Sequence, residues 1–216
     1  MASHDSSCVL WLQFDEASGD TVYDQSGNNN NGTIYGATFI DSPFNKALSF
    51  DGVDDCIEIP HSETIRLIRH FTISVWIKPK MAEIETIIAK GIGANTNYYM
   101  GLMQDTEMYV VFYVCDARGY IHGLIPSNMS VECDKWHHVV GVYDGSKFQV
   151  FVNGVGSDVA YWSGKIKDNT LSLLIGVQTG YDWFNGIIDE VRIYNRALSE
   201  LEILQIYHDY IKHKRI

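Results

Sequence analysis

The run Gly186 to Tyr194, GIIDEVRIY, holds the residue best placed to do chemistry. Strand alternation puts Asp189 on one face with Ile187, Val191 and Ile193. An ionised carboxylate among apolar neighbours costs several kcal/mol unless its charge is met. The same alternation sends Ile188, Glu190, Arg192 and Tyr194 to the other face, so Arg192 is a poor counter-ion. Two partners remain open: a hard cation of the calcium type, which takes about six to eight oxygens, or a convergent set of hydrogen-bond donors.

Other acids and histidines fit catalysis badly. Glycoside hydrolysis needs two carboxyl groups flanking one bond. Asp189 and Glu190 are adjacent and point to opposite sides of a strand. Glu83 and Glu85 alternate correctly, but the segment MAEIE at a strand start predicts a solvated edge. His137 and His138 also diverge, so they cannot grip one metal. His138 shares a face with Trp136, Val140 and Val142 and is expected as a hydrogen-bonded core histidine, with His137 exposed. Ser-His-Asp order, H-E-x-x-H and a phosphate-cradling Gly loop are all missing from the sequence. The expectation is a protein without catalytic activity.

Sugar binding asks for an aromatic face beside hydroxyl-reading polar groups. One loop, Gln178 to Asn185, offers Tyr181 and Trp183 with Gln178 and Asp182. Another, Asn95 to Tyr99, offers Tyr98 or Tyr99 with Asn95 and Asn97. Trp162, in AYWSGK, is a third candidate. For each ring the competing role is packing at a sheet edge.

These residues need a β framework. Period-two runs cover Val9–Phe14, Ala47–Phe50, Cys56–Ile59, Phe71–Lys78, Thr86–Lys90, Tyr98–Met103, Tyr109–Val114, Trp136–Tyr143, Phe148–Val152, Leu171–Ile175 and Gly186–Tyr194. In FTISVWIK, Phe71, Ile73, Val75 and Ile77 form one dry face opposite Thr72, Ser74, Trp76 and Lys78. Asp144-Gly145 and Asn153-Gly154 read as hairpin turns. The pattern predicts an all-β fold, a two-sheet antiparallel jelly-roll sandwich with a short C-terminal helix. That helix starts at a capping box, Ser199 to Glu202, and repeats Leu201, Leu204, Tyr207 and Ile211. It is expected to pack on the sandwich edge. The expected division is a flexible segment over 1–7, the jelly roll over 8–198, and the helix and tail over 199–216.

The 216 residues suit one domain of this kind. A formal charge of −11 repels phosphate backbones and argues against a nucleic-acid partner. No apolar run is long enough for a membrane-spanning helix. Cys8, Cys56, Cys115 and Cys133 form no C-x-x-C pair. In an exported chain, Cys115 with Cys133 is the preferred pairing, against buried free thiols. The triplets Asn31-Gly-Thr33 and Asn128-Met-Ser130 are glycosylation sequons only in a eukaryotic secretory route. The polar opening MASHDSSC does not read as a signal peptide.

Five stretches resemble the concanavalin A-like lectin/glucanase superfamily, and within it the laminin G-like jelly-roll domains. They are LWLQFDEASGDTVYDQSGNNNNGTIYGA from Leu10, ALSFDGVDDCIEIP from Ala47, FTISVWIKP from Phe71, WHHVVGVYDGSKFQVFVNGV from Trp136 and FNGIIDEVRIYNRALSELEI from Phe184. The resemblance implies a carbohydrate-binding, lectin-like module of a secreted or cell-surface protein, with a glycan or polysaccharide as partner. It also leaves a structural or adhesion domain with a protein partner, or a polysaccharide-degrading enzyme, as alternatives. It implies a structural calcium ion at the last strand. Asp189 matches the family's acidic position, Asp15 or Glu16 could approach it, and Asp51 and Asp54 in FDGVDD are further oxygen donors. For Asp15, Asp51 and Asp54 the competing role is turn capping.

Overall fold

Alternation builds the central strand Phe71–Pro79, whose Phe71, Ile73, Val75 and Ile77 are fully buried. The computed structural model describes residues 5–43, 45–80, 84–104, 106–124, 129–178, 180 and 182–213. Two antiparallel nine-stranded sheets enclose the core. The first runs in the order Val155–Gly156, Lys147–Val152, His137–Tyr143, Phe71–Pro79, Asn185–Tyr194, Asn45–Asp51 and Thr38–Ser42. Cys8–Leu12 also joins it, against Asn185–Tyr194. The second runs Ile121–Leu124, Met108–Cys115, Tyr98–Gln104, Ile84–Lys90, Leu173–Ile175, Cys56–Ile59, Gly32–Tyr35 and Thr21–Val22. Every segment expected as a strand forms one, and the short strands at 21–22, 32–35, 38–42 and 121–124 widen the sheets. Phe50, Phe71, Tyr98, Phe112, Phe148 and Phe184 fill the space between them. The Asn153-Gly154 turn takes the positive φ angles of 52° and 81° that a tight hairpin needs.

The helix Glu200–His213 opens on the expected capping box. The Ser199 N–H donates to Glu202 Oε2 at 2.8 Å, and the Glu202 N–H donates to Ser199 Oγ at 3.3 Å. Its position differs from expectation: it lies across the outer face of the first sheet, not on the edge. Tyr207 stacks on Trp76 with centroids 5.8 Å apart, and Ile203 joins Val140, Val142, Phe151 and Leu198 in a second small core. The buried helix face therefore runs through Ile203, Tyr207 and Tyr210, while Leu201 is 75% exposed. Because the helix covers it, Phe71–Pro79 is dry on both sides, and Thr72, Ser74 and Trp76 are buried as well.

That cover explains the first correction to the Asp189 reading. Asp189 pairs with Trp76 and Arg192 pairs with Ser74, so three steps on the last strand match two on its neighbour. The extra residue is a bulge, with Glu190 at φ 50°. It resets the alternation. Ile188, Val191 and Ile193 face the sandwich core, whereas Asp189 and Arg192 share the outer, helix-covered face. Arg192 serves Glu190 at 3.2 Å and lies 4.4 Å over the Trp11 ring.

Two further expectations are corrected. All four cysteines are free thiols. Val131 pairs with Met108, so Cys133 lies beyond that end of Met108–Cys115 while Cys115 closes the other. At about 3.3 Å per residue this is far outside disulfide reach. His137 is buried, accepting the Glu132 N–H at 2.9 Å. His138 is fully buried beneath the helix, bonded to Ser74 Oγ at 2.8 Å, and desolvation holds its pKa down to about 3.

Candidate functional site

The helix covers the first sheet; on the outer face of the second, exposure rises towards Met108–Cys115, since Thr86 and Ala89 are fully buried and Tyr99 is 5% exposed while Val111 and Tyr113 are half-buried. In Tyr98–Gln104 the core takes Tyr98, Met100 and Leu102, leaving Tyr99, Gly101 and Met103 outward. In Met108–Cys115 the core takes Val110, Phe112 and Val114, leaving Val111 and Tyr113 outward. Tyr99 and Tyr113 pair directly across the strands and stack, with centroids 4.6 Å apart and planes 15° from parallel. A Cβ on Gly101 would collide with the Tyr99 ring, so that ring lies across Gly101. Tyr99 is buried and Tyr113 half-buried, which makes Tyr113 the surface ring.

Gln178 and Asp182 close onto this pair. Gln178 Nε2 donates to Thr96 Oγ1 at 2.6 Å, its side chain hydrogen-bonds the Tyr113 phenol, and its N–H donates to Asp182 Oδ1 at 3.1 Å. Thr86 donates its N–H to the Asp182 carbonyl and its hydroxyl to Asp182 Oδ2, both at 2.8 Å. The two loops singled out in the sequence thus meet: Gln178, Asp182 and Tyr99 belong to one cluster with Thr86 and Thr96. Next along the same face, the fully buried Asn97 has neither amide N nor amide O paired with protein, the condition for a bound water or hydroxyl. Burial pushes the Tyr99 and Tyr113 phenols up, Tyr113 to about 12, so both remain neutral donors at ordinary pH.

Not every candidate joins the cluster. Tyr98 is a core ring against Phe71, its hydroxyl donating to the Ile65 carbonyl. Trp162 stacks on His122 at 4.3 Å and packs against Tyr143 and Phe148, closing the seam between the sheets. Trp183 is half-buried, with its Nε1–H on the Gly180 carbonyl at 2.8 Å. Tyr181 lies outside the described residues. Tyr113 was not among the sequence candidates. Its signal was available in the alternation of MYVVFYVC, which turns it outward opposite Phe112.

The acids fall into two separate groups. The Ser42 hydroxyl lies 3.1 Å from Asp189 Oδ2 and 3.2 Å from the Lys46 carbonyl, its one hydrogen shared between them, and the Lys46 N–H donates to Asp15 Oδ1 at 3.2 Å. Desolvation first, and the charge of Glu190 second, push the Asp189 carboxyl up to about 9. Buried Asp189 and exposed Asp15, with the hydroxyl and carbonyl oxygens between them, suit a hard cation in chemical type. Glu16 Oε1 accepts the Tyr23 N–H at 2.8 Å. Asp51 and Asp54 do not join that group. With Asp55 they bring ligand atoms within 4.8 Å of one another, an arrangement that could hold a metal. Burial raises the Asp55 carboxyl, and Asp55 Oδ2 accepts the Asp51 N–H at 2.8 Å. Asp55, the last residue of FDGVDD, was not among the sequence candidates.

Glu85 is fully buried, contrary to the solvated edge expected of it, because it pairs with Leu102 and turns to the core side. Glu83 lies outside the described residues.

A laminin G-type family model, described as the concanavalin A-like lectin/glucanases superfamily, matches residues 51–204, and the chain belongs to that superfamily. Relatives include human usherin, 26% identical over 165 residues, covering 73% of this chain and 3% of usherin. Another is adhesion G-protein coupled receptor V1 of Danio rerio, 25% identical over 151 residues, covering 66% of this chain and 2% of the receptor. The chain thus spans a very small part of the relatives it matches. In fold it is similar to the binding domain of Paraclostridial Mosquitocidal Protein 1, with TM-score 0.79, 20% identity, and coverage of 97% of this chain and 53% of that one. It is also similar to domain 4 of AbnA, a GH43 extracellular arabinanase from Geobacillus stearothermophilus solved with arabinotriose, with TM-score 0.74, 19% identity, and coverage of 93% and 98%. The botulinum neurotoxin serotype D binding domain gives TM-score 0.75 at 18% identity, covering 95% of this chain and 52% of that one. No helix of the described residues is long and apolar enough to cross a membrane.

Proposed function

We propose that this chain is a non-catalytic carbohydrate-binding module whose ligand lies on the second sheet over Tyr113 and is read by Asp182, with buried Tyr99, Gln178, Thr86 and Thr96 holding both in place. The observation that carries the reading is the 2.6 Å bond from Gln178 to Thr96, which brings both polar loops to one stacked tyrosine pair. An aromatic face beside amide, hydroxyl and carboxylate groups matches a sugar ring, apolar on its C–H face and polar at its rim. The solved neighbours add support, since one was solved with arabinotriose and others are toxin binding domains. A secreted or cell-surface setting goes with this function, as with the extracellular arabinanase. Replacing Tyr113 by Ala is expected to lower affinity for a bound oligosaccharide at least tenfold in a protein that still unfolds cooperatively, at a somewhat lower midpoint. Isothermal titration of both proteins checks it, and equal affinities would contradict the placement.

A structural calcium ion belongs to the same reading, held by Asp189 and Asp15 with the Ser42 hydroxyl and the Lys46 carbonyl. Bound calcium would supply the positive charge that the Asp189 carboxylate lacks. At calcium about a hundredfold above its Kd, unfolding should become harder by about 2.7 kcal/mol. Asp189→Asn should abolish that gain, whereas Asp54→Asn should leave it. Loss of the gain in Asp54→Asn alone would move the ion to the Asp51, Asp54 and Asp55 turn.

A further inference from the structure

Resting on the carbohydrate reading, we propose that this site selects neutral, polyhydroxylated oligosaccharides and rejects anionic ones such as sialylated or uronate chains. The geometry begins with a row in direct register across four strands: Ala89 opposite Tyr99, Tyr99 opposite Tyr113, and Tyr113 opposite Gly123. With strands about 4.8 Å apart the row spans about 14 Å, and its accessible half is Tyr113 and Gly123, since Ala89 is fully buried and Tyr99 is 5% exposed. Small residues flank the tyrosine pair at both ends. A Cβ at position 123 would run into the Tyr113 main chain, so glycine keeps that flank low.

The polar groups along the row are neutral or negative. Among the described residues, the hydrogen-bond partners of Thr86, Tyr99 and Gln178 include no Lys, Arg or His. Asp182 is the acid whose charge bears on both Tyr99 and Tyr113. The cation that acts on neighbouring Cys115 is Lys167, whose ammonium donates to the Ala94 carbonyl at 2.5 Å. A ligand carboxylate laid over Tyr113 would lose water, find no basic group among the described partners of Thr86, Tyr99 and Gln178, and sit beside the Asp182 carboxylate. Neutral hydroxyls meet amide, hydroxyl and carboxylate groups that can bond them. Asp182 is thus a repulsive selector as well as a loop anchor.

The test titrates the full chain with pairs of oligosaccharides of equal length, one neutral and one carrying uronate or sialic acid. The neutral member is expected to bind at least tenfold tighter. Asp182→Asn, which keeps an acceptor and removes the charge, should narrow that gap about fivefold. If this variant does not fold, raising salt on the wild-type protein should narrow the gap instead, since screening weakens the repulsion. Equal or tighter binding of the anionic member would overturn the inference and leave the carbohydrate reading standing. A gap unmoved by both Asp182→Asn and salt would overturn it too. Binding of neither member by folded protein would overturn both.

Discussion

Trp76→Ala should destabilise the fold by about 3–5 kcal/mol, the usual cost of emptying a buried tryptophan site. Trp76 is 2% exposed and sits at the centre of the interface between sheet and helix. It stacks on His138 at 5.1 Å, on Tyr207 at 5.8 Å and lies against Tyr210 at 5.6 Å. The rings cannot close over the gap without moving the helix, because His138 is pinned to Ser74 and Tyr210 accepts from Arg192 at 2.8 Å. Removal would also open water to Asp189, its direct cross-strand neighbour. Urea denaturation measures the change, and the thermal midpoint should fall by on the order of 10 °C. Leu201→Ala on the same helix, 75% exposed, should stay within about 0.5 kcal/mol of wild type. Similar small effects for both would mean that the helix does not cover the sheet as described.

Glu85 gives the second large effect, and it depends on pH. Desolvation pushes its carboxyl from 4.5 up to about 8, one oxygen accepting the Asn185 N–H at 3.3 Å and the other unpaired. Between those two pH values the folded state holds a proton that the unfolded chain has released. Stability therefore falls as pH rises through the window, is unaffected below about 4.5 and levels off above about 8. The full loss is on the order of 5 kcal/mol at about 1.4 kcal/mol per pH unit. Glu85→Gln removes the titration, so it should match wild type near pH 4 and exceed it at pH 9. Denaturant midpoints of the two proteins across that range check the difference. A constant difference would show that Glu85 is ionised and compensated in the fold.

Much of the framework was legible because alternation is a local signal. Phe71, Ile73, Val75 and Ile77 could be assigned to one face without knowing what they pack against, and the Asn153-Gly154 turn carries its own backbone preference. The helix start was legible for the same reason, since Ser199 and Glu202 cap each other. What lay over each face was not local. Thr72, Ser74 and Trp76 look solvent-facing until the helix, more than a hundred residues later, is laid across them. Asp189 was correctly singled out as buried and then put on the wrong face, because one bulge residue at Glu190 inverts the parity of everything after it. A bulge leaves no mark in the hydrophobic pattern. The candidate site was half legible: Gln178, Asp182 and Tyr99 were found as separate loop features, while Tyr113 was hidden by its place inside a regular strand. Only the cross-strand register brings it onto Tyr99.

The most direct test of the second-sheet site is an amide-resolved NMR titration of the calcium-loaded chain with neutral oligosaccharides. The account predicts saturable shifts concentrated at Tyr99, Tyr113, Thr86 and the loop from Gln178 to Asn185, absent in Tyr113→Ala. Shifts confined to the helix-covered sheet, or saturable binding that survives Tyr113→Ala unchanged, would contradict it.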